Sequence, residues 1–381
     1  MPRTLSIKTA VAAVSVSLLL VSCAKQRDTI RIGVGAPMTG SQAKMGTDIL
    51  NGVLLSVQEW NAKGGVLGKQ IEVVKRDDEA NEQVAKNIAY DFANQNVAGV
   101  IGHYNSGCMI PASEVYKEYM IPVITPAATN PFVTDRKLPN VFRICGRDDV
   151  QGRVAADYAV DVMQATRIAA LHDKTAYGEG LARYFKEQVE ARLGPDAMVY
   201  YGGFPNKESN FKPYLTSMAE KNPQVYFFGG IYDQAGPLVV QSKDLGIQAT
   251  FISGDGVIDP EFVKTAQACA EGSLLTFAEF LPFSPDFEKY PRAKAFNEAY
   301  TPMFGTPGPY SLYAYEAANV LLSSIAVAST VDGAAVSAAI RGNEHDTILG
   351  KIRFDEKGDI VGSFYVVWMV KDGDFVLASR L

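Results

Sequence analysis

From Thr29 to Ser253 short β-rich runs alternate with stretches of helical periodicity, and few architectures accept that pattern. Residues 30–36 read as a strand. A helix over 45–62 follows, with Ile49, Val53, Val57 and Trp60 at helical spacing and Gly64-Gly65 as its stop. Strands at 71–75, 97–102 and 122–125 then alternate with helices at 84–93 and 111–119, which is the signature of a parallel sheet covered on both faces. After residues 140–146 the pattern restarts. Helices at 150–163, 180–193, 211–220 and 234–245 interleave with strands at 167–172, 198–201, 225–228 and 250–253. Two successive runs of this length predict two similar α/β lobes, each doubly wound, in preference to one long sheet. The last third differs, with helices at 293–300 and 312–324, a hairpin-like segment at 351–361, and strands around 364–370 and 375–378 joined at the turn signal Lys371-Asp372-Gly373-Asp374.

Ahead of the first strand, Arg3 and Lys8 precede an uncharged run from Val11 to Val21 that is apolar apart from Ser15 and Ser17. A membrane-spanning helix needs about 20 apolar residues, so this run fits a secretory signal peptide over 1–22. Leu20-Val21-Ser22-Cys23 resembles a bacterial lipobox, which implies a lipidated Cys23 at the head of a short linker, 23–28. No later stretch approaches 18 uncharged apolar residues. The expected product is an exported protein on a lipid tether, facing the periplasm or cell exterior.

With 47% hydrophobic and 20% charged residues the chain is globular, and its 36 basic against 42 acidic side chains form no basic block. Nucleic acid is therefore excluded as a partner. The cysteines at 23, 108, 145 and 269 contain no Cys-x-x-Cys pair, so no structural metal site is expected. Catalytic machinery is also missing: three histidines, no His-Glu-x-x-His, no Gly-x-Ser-x-Gly elbow. His172-Asp173 at a strand end has no serine or cysteine partner and reads as structural. Gly33-Val34-Gly35 lacks the third glycine of a dinucleotide fingerprint, with Pro37 where a helix would present its amides, and the two glycines are expected to let the chain turn beside a cleft. The chain reads as neither an enzyme nor a cofactor carrier.

Three strand-to-helix junctions do carry chemistry. His103-Tyr-Asn-Ser-Gly-Cys108 opens a helix, so amides near Ser106 and Gly107 face outward on the positive end of the helix dipole and suit a carboxylate. Thr125-Pro-Ala-Ala-Thr-Asn130 offers the Ala127 carbonyl and the Thr129 hydroxyl. In Ser253-Gly-Asp-Gly256 an acid, Asp255, sits at the carboxyl edge of the second sheet, where open α/β sheets bind ligands. Taken singly, Ser106 and Thr129 also read as helix caps and Asp255 as a turn acid. Together, an acceptor facing an anion site across a cleft suits a zwitterion, most simply an α-amino acid.

At these residues the chain resembles the type I periplasmic solute-binding proteins of the branched-chain amino-acid (Leu/Ile/Val) ABC transporter family. The resemblance is carried by Ile32-Gly-Val-Gly-Ala-Pro-Met-Thr-Gly40, Asn61-Ala-Lys-Gly-Gly65, Val100-Ile-Gly-His103, Ile124-Thr-Pro-Ala-Ala-Thr129, His172-Asp-Lys174 with Tyr177-Gly-Glu-Gly180, and Asp355-Glu-Lys-Gly358. It implies a Venus-flytrap fold of two lobes joined by three hinge crossings, the first built from 29–146 plus 276–350 and the second from 147–275 plus 351–381. It further implies a monomer that closes on an amino acid, branched-chain or another small neutral one, and hands it to the membrane permease of an ABC importer. A sensor that binds an amino acid or amide and regulates a partner protein is the alternative. Ser106 would bind the ligand carboxylate, Thr129 both ends of the zwitterion, the Ala127 carbonyl and Asp255 the ammonium, and Tyr177 would line the pocket.

Several positions depart from the family pattern. Asp255 stands where leucine-binding relatives carry glutamate. Tyr104-Asn105 replace an apolar residue and a cysteine, which makes the side-chain pocket narrower and more polar. Ile231-Tyr232 follow Gly229-Gly230 where a tyrosine comes first in the relatives, leaving open whether Tyr232 reaches the ligand, while Met45 and Tyr310 occupy often-aromatic wall positions. The relatives' disulfide lacks its partner, since Ala80 and Asn81 occupy that region, and at least one thiol should stay free.

Overall fold

The computed structural model describes residues 29–279, 281–284, 287–362 and 365–379; the signal peptide and Cys23 lie outside them. The first lobe is organised by a five-stranded parallel sheet of β1 (Ile30–Ala36), β2 (Ile71–Asp77), β3 (Val100–Gly102), β4 (Val123–Thr125) and β5 (Val141–Arg143), in the order β2-β1-β3-β4-β5. Strands β3 to β5 have only three residues each and are buried throughout, which is why they read as unbroken apolar runs. Between them run α1 (Ala43–Ala62), α2 (Glu82–Asn94), α3 (Ser106–Glu118) and the single turn α4 (Phe132–Asp135).

The second lobe begins with α5 (Asp148–Asp157), which ends in one wider π turn, and continues through β6 (Ile168–His172), α6 (Ala176–Leu193), β7 (Met198–Gly203), α7 (Lys212–Ala219), β8 (Val225–Gly229), α8 (Tyr232–Asp244), β9 (Thr250–Ser253), α9 (Pro260–Ala266) and β10 (Leu274–Ala278). The chain then returns to the first lobe as α10 (Pro291–Phe304), α11 (Ser311–Ala328), α12 (Gly333–Gly342) and the hairpin β11 (His345–Thr347) and β12 (Gly350–Ile352). It ends as β13 (Tyr365–Lys371) and β14 (Asp374–Ser379), which extend the second sheet to seven strands in the order β14-β13-β10-β9-β8-β6-β7.

Each sheet is covered on both faces. Helices α1 and α11 pack together on one side of the first sheet, so closely at Gly52 that a Cβ there would come within 2.2 Å of the Ser311 carbonyl oxygen. On the other face Phe92 from α2 is fully buried with Tyr116 and Val115 from α3. In the second lobe Phe185 of α6 stacks on Phe227 of β8 at 4.3 Å. Each such ring contributes about 1.5–3 kcal/mol by leaving water.

Two expectations need correcting. The boundary at 275/276 falls inside β10, whose Leu274–Ala278 pair antiparallel with β13, and β12 belongs to a hairpin whose neighbour Ile348 donates to Glu316 of α11. The first lobe therefore resumes beyond Ala278 and keeps residues 351–352. Gly33 and Gly35 do not make a turn. Both lie within β1, where a Cβ would meet the Phe92 ring at 3.1 Å and the His103 ring at 2.8 Å, so they are glycines because rings pack across the strand.

Two of the crossings are tied together by charge. Arg143, fully buried at the end of β5, donates from Nε and Nη2 to Asp359 Oδ1 at 2.8 and 2.6 Å, and Arg147 Nη1 reaches Asp359 Oδ2 at 2.7 Å. The segment between β12 and β13 is thereby fixed to the segment between β5 and α5.

Candidate functional site

A cavity of about 700 Å³ lies between the lobes, where the carboxyl ends of both sheets meet. Its first wall is the start of α3. Asn105 adopts an extended conformation, so the helix begins at Ser106, and first-turn geometry leaves the Ser106 and Gly107 amides without intrahelical acceptors. Ser106 is 1% exposed, and its Oγ accepts from the Asn130 amide at 3.2 Å.

The adjacent loop is shaped by Thr125, whose hydroxyl donates to the His103 carbonyl at 2.8 Å and accepts from the Ala128 amide at 2.9 Å. This curls residues 126–129 so that Ala127 lines the cavity. Arg143 braces the same loop from behind, donating to the Asn130 carbonyl at 2.8 Å and the Ala128 carbonyl at 3.2 Å. The hinge network and the binding loop thus share one guanidinium. Thr129 is buried just behind the cavity surface; its Oγ1 lacks a hydrogen bond, and its carbonyl accepts from the Asp148 amide at 3.0 Å.

The opposite wall belongs to the second lobe. Asp255 opens a short turn after β9 and is 2% exposed. Tyr177 donates to its Oδ1 at 2.8 Å and accepts from the Gly256 amide at 3.0 Å, while Tyr310, at the head of α11, donates to its Oδ2 at 2.5 Å. The flanking glycines make room for this closure: a Cβ at Gly254 would lie 2.4 Å from Leu181, and one at Gly256 2.8 Å from Ile231. Burial pushes the Asp255 carboxyl up, and the hydrogen bonds from Tyr310 and Tyr177 pull against that. Tyr104 packs edge-on against Tyr310 at 5.6 Å, and its own hydroxyl is buried without a hydrogen bond. The arrangement offers amides and a hydroxyl for an anion on one side and a desolvated carboxylate for a cation on the other.

Of the expected site residues, Ser106, Ala127, Tyr177, Asp255, Tyr104, Asn105 and Tyr310 line this one cavity, with Thr129 behind them. Met45 does not. It is fully buried in the hydrophobic core on the stripe that it shares with Ile49 and Val53. Tyr232 is also absent from the cavity wall; Ile231 stands there instead, and the Tyr232 hydroxyl donates across the lobes to the Ser41 carbonyl at 2.8 Å. His172 accepts from the Lys174 amide at 3.2 Å, Asp173 from the Thr175 hydroxyl at 2.6 Å, and Cys108, Cys145 and Cys269 are all free thiols.

Other polar contacts join the lobes around the cavity. Ser41 donates to Asp233 at 2.6 Å, Asn130 to the Ala176 carbonyl at 2.6 Å, and Lys44 to Asp259 at 2.9 Å as well as to Asp48 at 2.7 Å. Burial opposes the Lys44 charge, but Asp259 and Asp48 outweigh it and its pKa rises. The sequence did not announce these pairs, because their partners are 192 residues apart for Ser41 and Asp233 and 215 for Lys44 and Asp259. Asp148 was missed for another reason. Two acids at the start of a helix, Asp148 and Asp149, read as ordinary first-turn residues. In the structure Asp148 is fully buried with neither carboxylate oxygen well hydrogen-bonded, and burial, then the Asp255 charge, push its pKa far up.

Residues 29–374 match the family model described as periplasmic binding protein. The chain is similar to Leu/Ile/Val-binding protein homolog 2 of Brucella abortus, at 38% identity over 91% of each chain. It is likewise 38% identical to an amino acid binding protein of Pseudomonas aeruginosa, over 88% of this chain and 89% of that one. Among solved structures, the branched-chain amino acid transporter substrate binding protein LivJ of Streptococcus pneumoniae, in complex with isoleucine, superposes with a TM-score of 0.84 at 26% identity, over 93% of this chain and 99% of LivJ.

Proposed function

The chain belongs to the periplasmic binding protein family, whose members carry solutes to transporters and are not enzymes, and from that premise we propose that it binds a free α-amino acid between its lobes. The observation that carries this reading is the pairing, across one cavity, of the buried Asp255 carboxylate with the Ser106 hydroxyl and first-turn amides of α3. In this reading the ligand carboxylate takes hydrogen bonds from the Ser106 side chain and the amides of α3, with Thr129 shaping the loop behind them. The ammonium donates to Asp255 and to the Ala127 carbonyl, and Tyr177 and Tyr310 hold the Asp255 carboxylate in place. Charge-assisted hydrogen bonds in a site closed to water are strong and short, so closure and binding reinforce one another.

Delivery to the permease of an ABC importer is supported by similar structures described as transporter substrate-binding proteins, and tethering through a lipid on Cys23 by the lipobox-like Leu20-Val21-Ser22-Cys23. Metabolic labelling with a palmitate analogue should mark the native chain and not Cys23→Ser.

Binding is tested by thermal shift and calorimetry over the free amino acids, small amides and short-chain carboxylates. A true ligand at 100 times its Kd stabilises the fold by about 2.7 kcal/mol. Asp255→Ala should abolish that shift while melting cooperatively. If no zwitterion stabilises the protein, or if Asp255→Ala binds as tightly as the native chain, the amino-acid reading is wrong.

A further inference from the structure

Behind the first-lobe wall of the cavity, three polar side chains are enclosed in the core: Asp78, His103 and Tyr116 are each fully buried. The His103 ring joins the other two. Its Nδ1 lies 2.7 Å from Asp78 Oδ2 and, because a carboxylate oxygen can only accept, Nδ1 is the donor. Its Nε2 is hydrogen-bonded to the Tyr116 hydroxyl at 2.9 Å.

Each of the three belongs to a segment that shapes the cavity. Asp78 Oδ1 accepts from the Ala80 amide at 3.0 Å and its carbonyl from the Asn81 amide at 2.8 Å, which folds the chain after β2 into a turn where Glu79 and Ala80 take φ of 54° and 51°. Side chains other than glycine resist that left-handed conformation, so the turn persists only while its surroundings fix it. Residues 79–83 line the cavity. His103 leads from β3 into Tyr104, Asn105 and Ser106, which line it as well, and the His103 carbonyl accepts from Thr125, the residue that curls the neighbouring loop. Tyr116 stands in α3, whose first amides face the cleft. The two walls abut there: a Cβ on Gly107 would lie 2.8 Å from Glu82 Oε1.

We infer that His103 is a positioning residue for ligand binding, whose ring locks the 78–83 turn to the 103–106 junction and so keeps the first turn of α3 aimed into the cleft. It touches no ligand itself. This deepens the amino-acid reading of the same cavity and rests on it.

The test compares His103→Leu, His103→Asn and Tyr116→Phe with the native protein in thermal shift, titrated with an equimolar mixture of the twenty standard L-amino acids. In His103→Leu the half-saturating concentration should rise at least about tenfold, because neither bond survives. In His103→Asn the side-chain amide can stand where Nδ1 stood and still donate to Asp78, so binding should return to within about threefold of native. A purely structural role would lower the melting temperature without this rescue. Tyr116→Phe removes one hydroxyl, should weaken binding by about 2–10-fold, and decides the matter should His103→Leu fail to fold. Native-like binding by His103→Leu, or by Tyr116→Phe where it stands in, overturns the inference, as does His103→Asn binding as weakly as His103→Leu. If the native protein responds to no amino acid, the amino-acid reading itself fails. Deuterium exchange in the absence of amino acids then judges His103 separately: faster exchange in Tyr116→Phe at 79–83 and 103–108 together, with α12 unchanged, supports the lock, and any other pattern overturns it.

Discussion

The Tyr310 hydroxyl, at the start of α11 in the first lobe, donates to Asp255 Oδ2 in the second at 2.5 Å, so the residue proposed to hold the ammonium is itself held across the cleft. Asp255 is thereby both the proposed ligand contact and a point where the lobes meet. Tyr310→Phe keeps the ring packing against Tyr104 and Phe277 but removes that bond. We expect amino-acid affinity to fall by about 1.5–3 kcal/mol, the usual worth of a hydrogen bond to a charged group, with little change in melting temperature. Calorimetry that finds the affinity unchanged would show that the bond plays no part in closure.

Ser106→Ala removes the hydroxyl but leaves the amides of α3 in place. Affinity should drop by about 1–3 kcal/mol for every amino acid bound, whatever its side chain. A loss confined to one ligand would place Ser106 at the side chain instead of the carboxylate.

Asp148 titrates with a distinctive sign. Its folded pKa is raised by burial and by the Asp255 charge, so the folded state keeps a proton that the unfolded chain has released, and stability is lost as pH rises above the ordinary carboxyl value of 3.8. Asp148→Asn should match the native protein near pH 4 and melt progressively higher than it toward pH 7, gaining up to about 1.4 kcal/mol per pH unit until the folded pKa is passed. Paired melting curves across that range decide it; a variant less stable at pH 7 than at pH 4, relative to native, would refute the assignment.

Lys44 spans the lobes by neutralising Asp48 and the fully buried Asp259 together. Burial has already pushed Asp48 up to about 6, and Lys44→Met strands both acids. The open form should gain, raising the radius of gyration of the liganded protein in small-angle scattering and weakening all ligands by about 1–3 kcal/mol without changing their order. An altered order of preference would mean that Lys44 touches the ligand.

Arg143 joins the Asp359 crossing to the Ala128 and Asn130 carbonyls, so Arg143→Met should cost on the order of 3 kcal/mol in chemical denaturation, the lower end for breaking a buried pair because Arg147 still serves Asp359. Ligand affinity should fall as well, since the Thr125–Asn130 loop loses its brace. Unchanged affinity at reduced stability would confine Arg143 to the hinge.

Much of the fold was legible because the signals are local. The strand β1 spans the seven residues that its β-rich run marks, and Ser106 and Asp255 stand at junctions where a strand hands over to a turn or helix. Met45 shows local information misapplied. Its spacing to Ile49 and Val53 already placed it on the core stripe, and only the resemblance moved it into the pocket. The rest was not local. Tyr310 reads as an aromatic wall in sequence, and its bond to Asp255 depends on a fold that brings residues 55 apart together. Asp233 and Gln234 read as the first turn of α8, and Gly33 and Gly35 as a turn, because the rings and hydroxyls that decide their roles come from other segments.

The strand order of the second sheet has a consequence for how the chain can be made. Its last two strands, β13 and β14, are separated from β10 by everything the first lobe takes back between them. Synthesis runs from the amino end, at about 5–20 residues per second, and domains usually fold as they emerge. The first sheet can therefore be complete while β10 still offers Leu274, Leu275 and Phe277 on an open edge, which β13 later covers by pairing Leu274 with Met369 and Ala278 with Tyr365. Until then the half-made lobe is an aggregation template, and a chain cut short after β12 would keep that sticky edge for good. The final fifteen described residues act as the closing stitch, so a chaperone that holds the nascent chain extended has most to protect at β10.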